Sequence, residues 1–228
     1  MPKPLVILVV TLSLLVAGCG SAGDPATSTV VTEPVPTDTT ETTAEGCTDV
    51  EAPPAREDGS ASAPAERLDP EQTYGLVVAT NCGSFTITLD LEQAPATAAS
   101  LVALAEAGFY DSTVFHRIIP GFVIQGGDPT QSGSGGPGYQ TVDVPPADAA
   151  YTKGVVAMAK AGDEPAGTSG SQFFVVTGAD VGLPAEYAVV GTVTSGIEVV
   201  ERIGELGDPA TEQPTRAVVI ESVMVATT

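Results

Sequence analysis

The most informative stretch of this chain reads VFHRIIPGFVIQGGD over residues 114–128. It gathers a permanent cation, Arg117, an aromatic ring, Phe122, and an amide, Gln125, around a Pro-Gly turn. The apolar runs on either side of that turn are typical of two strands. A second strand-like stretch, GSQFFVV at residues 170–176, adds another amide and two more rings. No nucleophile–base pair is evident in this inventory, which favours binding and twisting a substrate over breaking a bond.

The spacing of apolar residues along the rest of the chain indicates a mainly β fold. It predicts strands at residues 75–80, 84–89, 114–118, 123–126, 153–159, 172–177, 187–193 and 216–225, and helices at 95–107 and around 197–203. Pro95 at the start and Gly108 just past the end fit the usual helix boundaries. Many short strands with two isolated helices favour closure into a barrel, because closure removes exposed strand edges.

Both quoted stretches closely resemble the signature segments of the cyclophilins, the peptidyl-prolyl cis/trans isomerases. The resemblance extends in a consistent order from about Leu76 to Ala226. It implies a closed, eight-stranded antiparallel β-barrel capped by two α-helices. It also implies an enzyme that needs no cofactor.

The resemblance assigns roles to nine residues of this chain. Arg117 matches the arginine that stabilises the twisted amide, and Gln125 matches the amide that steadies it. Lowering the rotational barrier of about 18–20 kcal/mol needs a groove that favours the twisted bond, not a covalent step. The substrate-binding positions implied by the resemblance are Phe122, Val123, Ala159, Gln172, Phe174, Leu183 and Tyr187.

Purely structural interpretations remain open for several of these residues. On composition alone, Phe122 and Phe174 are more typical of a barrel core. Arg117 could be a structural cation beside His116. His116 is the only histidine, but nothing in the sequence places a nucleophile near it, so a hydrolytic triad is disfavoured.

Several positions depart from the pattern that the cyclophilins usually show. Tyr187 stands where many members carry histidine, and Val123 stands where methionine is usual. Gly182 stands where an aromatic residue, often tryptophan, is common, and this chain contains no tryptophan. One wall of the implied site is therefore expected to be thinner.

Composition excludes several classes of partner. The chain has 228 residues with eight Lys and Arg against 29 Asp and Glu, so its formal net charge is −21. Nucleic acid requires a basic face, and anionic lipid attracts basic segments, so neither is an expected electrostatic partner. One histidine and no closely spaced cysteine cluster argue against a metal site. The length fits one globular domain with additional segments.

The N-terminus predicts export. Lys3 precedes an apolar run at residues 5–16, which is shorter than the roughly 20 residues needed to cross a bilayer. It therefore indicates a signal peptide over residues 1–18. Residues 16–19 read VAGC and resemble the bacterial lipoprotein cleavage box, which implies lipidation of Cys19. The alternative is an ordinary cleaved signal with an incidental cysteine.

Residues 19–67 are dominated by Thr, Ser, Pro, Ala and acidic residues and are predicted to be a disordered tether. As a flexible coil, the part between Cys19 and Cys47 would reach on the order of 30 Å. The isomerase domain is expected over residues 68–228. In an oxidising compartment, Cys47 and Cys82 form an even pair and are expected to form a disulfide, with two free thiols as the alternative.

These observations lead to one functional hypothesis and two alternatives. The chain is expected to be a monomeric prolyl isomerase, held to the extracytoplasmic face of the cell membrane only by its lipid anchor. Its expected partners are proline-containing peptides and unfolded exported proteins. The first alternative is a non-catalytic chaperone or adaptor that binds proline peptides at the cell surface. The second is a surface protein in which the tether and the acidity matter most.

We predict that Cys19→Ser abolishes lipid anchoring, because serine lacks the thiol that would accept the diacylglycerol. The variant should accumulate as uncleaved precursor or leave the detergent fraction. Mass spectrometry of the mature native protein checks this directly. An unmodified Cys19 on that protein would contradict the lipoprotein hypothesis.

Overall fold

The structure, a computed structural model, describes residues 46–228. The predicted signal peptide, Cys19 and the first part of the predicted tether lie outside the described residues. Within residues 46–228 no helix is long and apolar enough to cross a membrane.

The described part of the chain is mainly β, with two helices, as predicted. Its elements are β1 (Tyr74–Thr80), β2 (Gly83–Leu89), α1 (Pro95–Glu106), β3 (Thr113–Val114), β4 (Arg117–Ile119), β5 (Val123–Gly126), β6 (Thr141–Val142), β7 (Val155–Met158), β8 (Thr168–Ser169), β9 (Phe173–Val176), β10 (Val189–Ser195), α2 (Ile197–Gly204) and β11 (Val219–Thr227). Nine strands form one curled antiparallel sheet in the order β3-β11-β1-β2-β10-β7-β9-β5-β4, and β6 pairs with β8 separately.

The predicted closed eight-stranded barrel is not confirmed, because the described sheet has nine strands. The extra strand arises where the sequence predicted one continuous strand over residues 114–118. Val114 pairs with Val219 at one edge of the sheet, whereas Arg117 pairs with Gln125 at the other edge. A single isolated bridge joins Val114 to Asp128. The intervening Phe115 and His116 carry the chain from one edge to the other.

Strict alternation of side chains explains how the sheet builds its main core. In β2, Phe85, Ile87 and Leu89 are buried, and their spacing of two places them on one face of the strand. They pack with helix residues such as Leu101 of α1 and Ile203 of α2 in one cluster. That cluster fills one face of the curled sheet.

Both helices begin and end where the sequence indicated. Pro95 opens α1, and Gly108 follows the helix with a φ of 66°, a left-handed conformation that glycine adopts without strain. The second helix, α2, buries Val200 and Ile203. Its Arg202 donates a hydrogen bond of 2.7 Å to the carbonyl oxygen of Cys82. This contact links α2 to the β1–β2 turn.

The predicted disulfide between Cys47 and Cys82 is present, and the two cysteines are 35 positions apart in sequence. Both side chains are buried. The Thr48 amide donates to the Asn81 carbonyl oxygen at 2.8 Å, which extends the attachment beyond the covalent bond. The boundary at residue 67 between tether and domain stays a prediction. Residues 48–61 nevertheless carry several backbone hydrogen bonds to residues 81–137.

We expect the double variant Cys47→Ser/Cys82→Ser to lose about 3–4 kcal/mol of unfolding free energy. The disulfide restricts the unfolded chain by closing a loop whose ends are 35 residues apart. Urea denaturation of the oxidised proteins measures the difference. Reduced wild-type protein should match the variant, and the variant should not respond to reductant. Equal midpoints for oxidised wild type and variant would contradict the expectation.

Candidate active site

The candidate site begins as a row of side chains across four neighbouring strands. Arg117 of β4 lies opposite Gln125 of β5, Gln125 lies opposite Phe174 of β9, and Phe174 lies opposite Ala157 of β7. Directly opposed residues in antiparallel strands project to the same face. The pairing therefore places a cation, an amide and an aromatic ring side by side.

This row faces away from the main core. The alternating neighbours Ile118, Ile124 and Val175 belong to the main core cluster. In β9 the adjacent rings separate in the same way, since Phe173 joins the main core and Phe174 joins a second, smaller cluster. The period of two along each strand produces this division.

The second cluster is an apolar patch, hereafter the apolar cluster, that collects six of the seven predicted substrate-binding residues. Phe174 and Val123 are buried within it, whereas Phe122, Ala159, Leu183 and Tyr187 are partly buried against it. The rings of Phe174 and Tyr187 meet edge to face, with centroids 5.6 Å apart, an arrangement that stabilises aromatic pairs. The partly buried members supply apolar surface that a proline ring could contact.

Tyr151 completes the apolar cluster and was not predicted from the sequence. Its ring lies 6.3 Å from that of Phe174 and 6.0 Å from that of Tyr187. Its hydroxyl donates to the carbonyl oxygen of Tyr187 at 2.8 Å and accepts from the Tyr187 amide at 3.0 Å. Burial raises the pKa of Tyr151. Tyr151 therefore fixes the backbone that carries Tyr187, but no local sequence pattern indicates this pairing across 36 residues.

A chain of hydrogen bonds orients the polar residues beside the apolar cluster. Arg117 Nη1 donates to Gln125 Oε1 at 3.2 Å. Gln125 Nε2 donates to Gln172 Oε1 at 3.1 Å, and Gln172 Nε2 donates to the Gly135 carbonyl oxygen at 2.9 Å. The structure thus brings the predicted residues Arg117, Gln125 and Gln172 together. Each amide is held by both of its polar ends.

The guanidinium of Arg117 also has a carboxylate partner that the sequence did not suggest. Arg117 Nε donates to Glu212 Oε2 at 2.7 Å, and the two side chains are 36% and 48% exposed. Glu212 lies in a loop and has a positive φ. Its carbonyl oxygen accepts a hydrogen bond of 2.8 Å from the Ile118 amide. Exposed pairs of this kind contribute about 0–1 kcal/mol. The pair therefore orients Arg117 without burying its charge.

Asp128 organises the loop that ends this hydrogen-bond chain. Its buried carboxylate accepts from the Thr130 amide and hydroxyl and from the amides of Gly133 and Gly135. Burial alone would raise the pKa of Asp128, but these hydrogen bonds outweigh it and hold the pKa below its usual value. A Cβ atom at Gly135 would lie 2.2 Å from an Asp128 oxygen, so only glycine fits there.

Gly182 is the position at which the sequence predicts a thinner wall of the site. Gly182 is exposed, and a Cβ atom placed on it would meet nothing within 4 Å. Its φ of 61° lies in the left-handed region, which side chains other than glycine adopt only at a cost. The neighbouring Val181 and Leu183 do pack against the apolar cluster.

Comparison with known proteins identifies the family. Residues 76–225 match the family described as cyclophilin type peptidyl-prolyl cis-trans isomerase/CLD. Peptidyl-prolyl cis-trans isomerase A of Mycobacterium tuberculosis is 38% identical over 175 residues, covering 69% of this chain and 94% of that protein. Peptidyl-prolyl cis-trans isomerase B of Streptomyces anulatus is 40% identical over 176 residues, covering 69% of this chain and 98% of that protein.

A solved structure agrees with these relatives. The cyclophilin type isomerase of Cryptosporidium parvum, crystallised in the presence of the dipeptide Ala-Pro, superimposes with a TM-score of 0.62 at 31% identity. The match covers 67% of this chain and 98% of that one. The chain therefore belongs to the cyclophilin family, and it is an enzyme of the peptidyl-prolyl cis-trans isomerase class. The family prediction is confirmed, whereas the lipoprotein form stays a prediction.

His116, next to Arg117, provides a pH-dependent expectation. Burial lowers its pKa; the Asp128 carboxylate and the Val114 carbonyl oppose this effect, and the Arg117 charge adds to it. The unfolded chain, with a histidine pKa near 6.5, therefore binds the proton at a higher pH than the folded chain. The unfolding free energy is therefore highest above the histidine pKa of the unfolded chain. It falls as the pH drops below that pKa toward the lowered pKa of His116 in the folded chain.

We expect the unfolding free energy of the wild type to fall between roughly pH 7.5 and pH 5, and to fall less in His116→Gln. His116 is the only histidine in the chain, so no other histidine contributes to this window. Urea denaturation at a series of pH values measures the slope. Identical slopes for the two proteins would show that His116 is not the responsible group.

Proposed function

We propose that the enzyme accelerates rotation about X–Pro bonds in unfolded exported proteins by stabilising the twisted amide with Arg117. The observation that supports this most strongly is the row formed by Arg117, Gln125 and Phe174 on one face of the sheet. This row places an oriented cation beside an apolar surface that is as large as a few side chains. This is the combination that a twisting prolyl amide requires.

The proposed mechanism has no covalent intermediate. A planar X–Pro amide is held by resonance, with a barrier of about 18–20 kcal/mol. As the bond twists, the prolyl nitrogen pyramidalises and its lone pair becomes a hydrogen-bond acceptor. A guanidinium N–H donor that is already oriented can donate to this lone pair. It therefore stabilises the twisted amide more than either planar form, which lowers the barrier.

Each neighbouring residue has a proposed part in this step. Gln125 is proposed to position Arg117, since it accepts from Nη1. Glu212 is proposed to fix the opposite side of the guanidinium through Nε, which leaves other N–H groups to face the substrate. The proline ring is proposed to contact the partly buried part of the apolar cluster, and Ala159 and Gln172 to contact the adjoining residues of the peptide.

The cellular setting is also part of the proposal. The apolar run at residues 5–16 and the box ending at Cys19 support export followed by lipid anchoring at the extracytoplasmic face. The disulfide between Cys47 and Cys82 fits an oxidising compartment. The Ala-Pro dipeptide present with the Cryptosporidium parvum protein supports proline peptides as the ligand class. No cofactor takes part in the proposed reaction.

We expect Arg117→Ala to reduce isomerisation by about 10²–10³-fold, as is typical for the loss of one preorganised donor. The fold should survive, because the exposed pair with Glu212 adds about 0–1 kcal/mol at most. NMR exchange spectroscopy on an Ala-Pro peptide, with and without protein, measures the rate. Arg67→Ala removes the same charge from an exposed residue and serves as the matched control.

The same experiment separates the enzyme from a non-catalytic binding module. If Arg117→Ala folds normally and retains near-wild-type exchange, the proposed mechanism is wrong. If the wild type binds the peptide without accelerating exchange, the protein is a proline-peptide-binding chaperone or adaptor. A charge-retaining Arg117→Lys should keep only part of the activity, because lysine lacks the planar, directed donors of arginine.

A further inference from the structure

A second groove adjoins the candidate active site. It has a volume of about 670 Å³ and shares Gln125, Ala159 and Gln172 with that site. Its other walls include the glycine-rich loop at residues 133–138 and the turn that contains Glu164. A peptide whose proline contacts the apolar cluster would therefore extend into this groove.

One wall of the groove comes from outside the part of the chain that matches the family. The match begins at residue 76, yet Asp58 lines the groove. The segment around it, residues 53–61, runs along the loop at residues 129–137 through backbone hydrogen bonds. These are Arg56 N to Pro129 O at 2.8 Å, Gly59 N to Gly136 O at 2.9 Å and Ala61 N to Pro137 O at 3.0 Å.

Asp58 is held in place by this close backbone contact. A Cβ atom on Gly59 would lie 2.9 Å from both Phe109 and Pro137, and one on Gly138 would lie 2.6 Å from the Gly59 carbonyl oxygen. The two backbones are therefore too close for larger residues. Asp58 Oδ1 accepts the Gly136 amide at 2.9 Å, which fixes its carboxylate at the groove.

The accessible charge in the groove is negative. Among residues 46–228, neither Asp58 nor Glu164 forms an ion pair, and their carboxylates accept hydrogen bonds only from neutral groups. The one cation in the lining, Lys160, is turned away from solvent, with its side chain 2% exposed. Its Nζ contacts the Glu186 carboxylate at 3.3 Å and the carbonyl oxygens of Ala161 and Glu164.

We propose that this groove binds a lysine or arginine side chain of the substrate peptide, and that Asp58 is a specificity-determining residue supplied by the segment N-terminal to the cyclophilin domain. The proposal rests on the proposed function, because it assumes that the proline occupies the apolar cluster. Two carboxylates without a cationic partner, both lining a groove of about 670 Å³, favour a cationic residue near the proline. They disfavour an acidic one there.

The test uses the full chain and a set of Ala-Pro peptides of equal length. The variable position is one of the three before the Ala-Pro pair or one of the three after it. Each peptide carries Lys, Ala or Glu at that position. Exchange spectroscopy gives kcat/KM, and NMR titration of the protein gives Kd. At low salt we expect one position at which the Lys peptide exceeds the Glu peptide by about threefold to tenfold, as one or two exposed ion pairs allow. In roughly 0.5 M salt the ratio should approach one.

Two variants and a matched control locate the effect. Asp58→Asn keeps the acceptor for the Gly136 amide but removes the charge, so the Lys-to-Glu ratio should fall by at least half. Glu164→Gln should lower the ratio in the same direction. Glu57→Gln removes one charge from the neighbouring residue, which is exposed and outside the groove lining. It should leave both the ratio and the turnover of the Ala peptide unchanged.

The outcomes separate this proposal from the proposed function. If no peptide undergoes accelerated exchange, the isomerase proposal fails, while the Kd values still test the groove. Equal values for Lys and Glu peptides at every position would overturn the groove proposal alone. A Lys-to-Glu ratio that Asp58→Asn leaves unchanged would also overturn the groove proposal. An equal decrease in Glu57→Gln would overturn it as well, because net charge alone would then account for the ratio.

Discussion

The antiparallel register of β4, β5 and β9 is the constraint on which the site depends. It aligns Arg117, Gln125 and Phe174 on one face while their sequence neighbours enter the main core. A slip of one residue would exchange the two faces. It would bury the guanidinium and expose Ile118 and Ile124, so the apolar core enforces the register that the site needs. Stability and site geometry are therefore set by the same strand pairing.

The charge of Arg117 is oriented at little energetic cost because the structure keeps it partly in water. A buried pair with Glu212 would have required desolvation of both charges, whereas the observed pair is 36% and 48% exposed. On the other side, Gln125 and Gln172 extend the hydrogen bonds to Gly135. Asp128 holds that loop through the Gly133 and Gly135 amides. The orientation of one cation thus depends on groups from four separate parts of the chain.

The segment before the family domain is attached at two places of different character. A covalent bond fixes Cys47 to Cys82, and backbone hydrogen bonds hold residues 56–61 along the loop at residues 129–137. Once the disulfide forms, the segment between Cys47 and β1 is anchored at both ends, so residues 56–61 lose less chain entropy when they bind the loop. The disulfide and the hydrogen bonds therefore support each other. Together they bring Asp58 to a groove that the domain alone would leave open on that side.

The sequence by itself determined the parts of this protein that depend on local pattern. Alternation located β2, Pro95 and Gly108 bounded α1, and the apolar runs on either side of the Pro120–Gly121 turn indicated β4 and β5. The roles of these residues came from resemblance to a family, not from the pattern alone. Only the tertiary structure decided the break between β3 and β4 and the contacts made by Tyr151, Glu212 and Asp58. Those contacts join residues 36, 95 and 78 positions apart, and such separations leave no periodic signal, because the pairing arises only when the sheet curls and its loops meet.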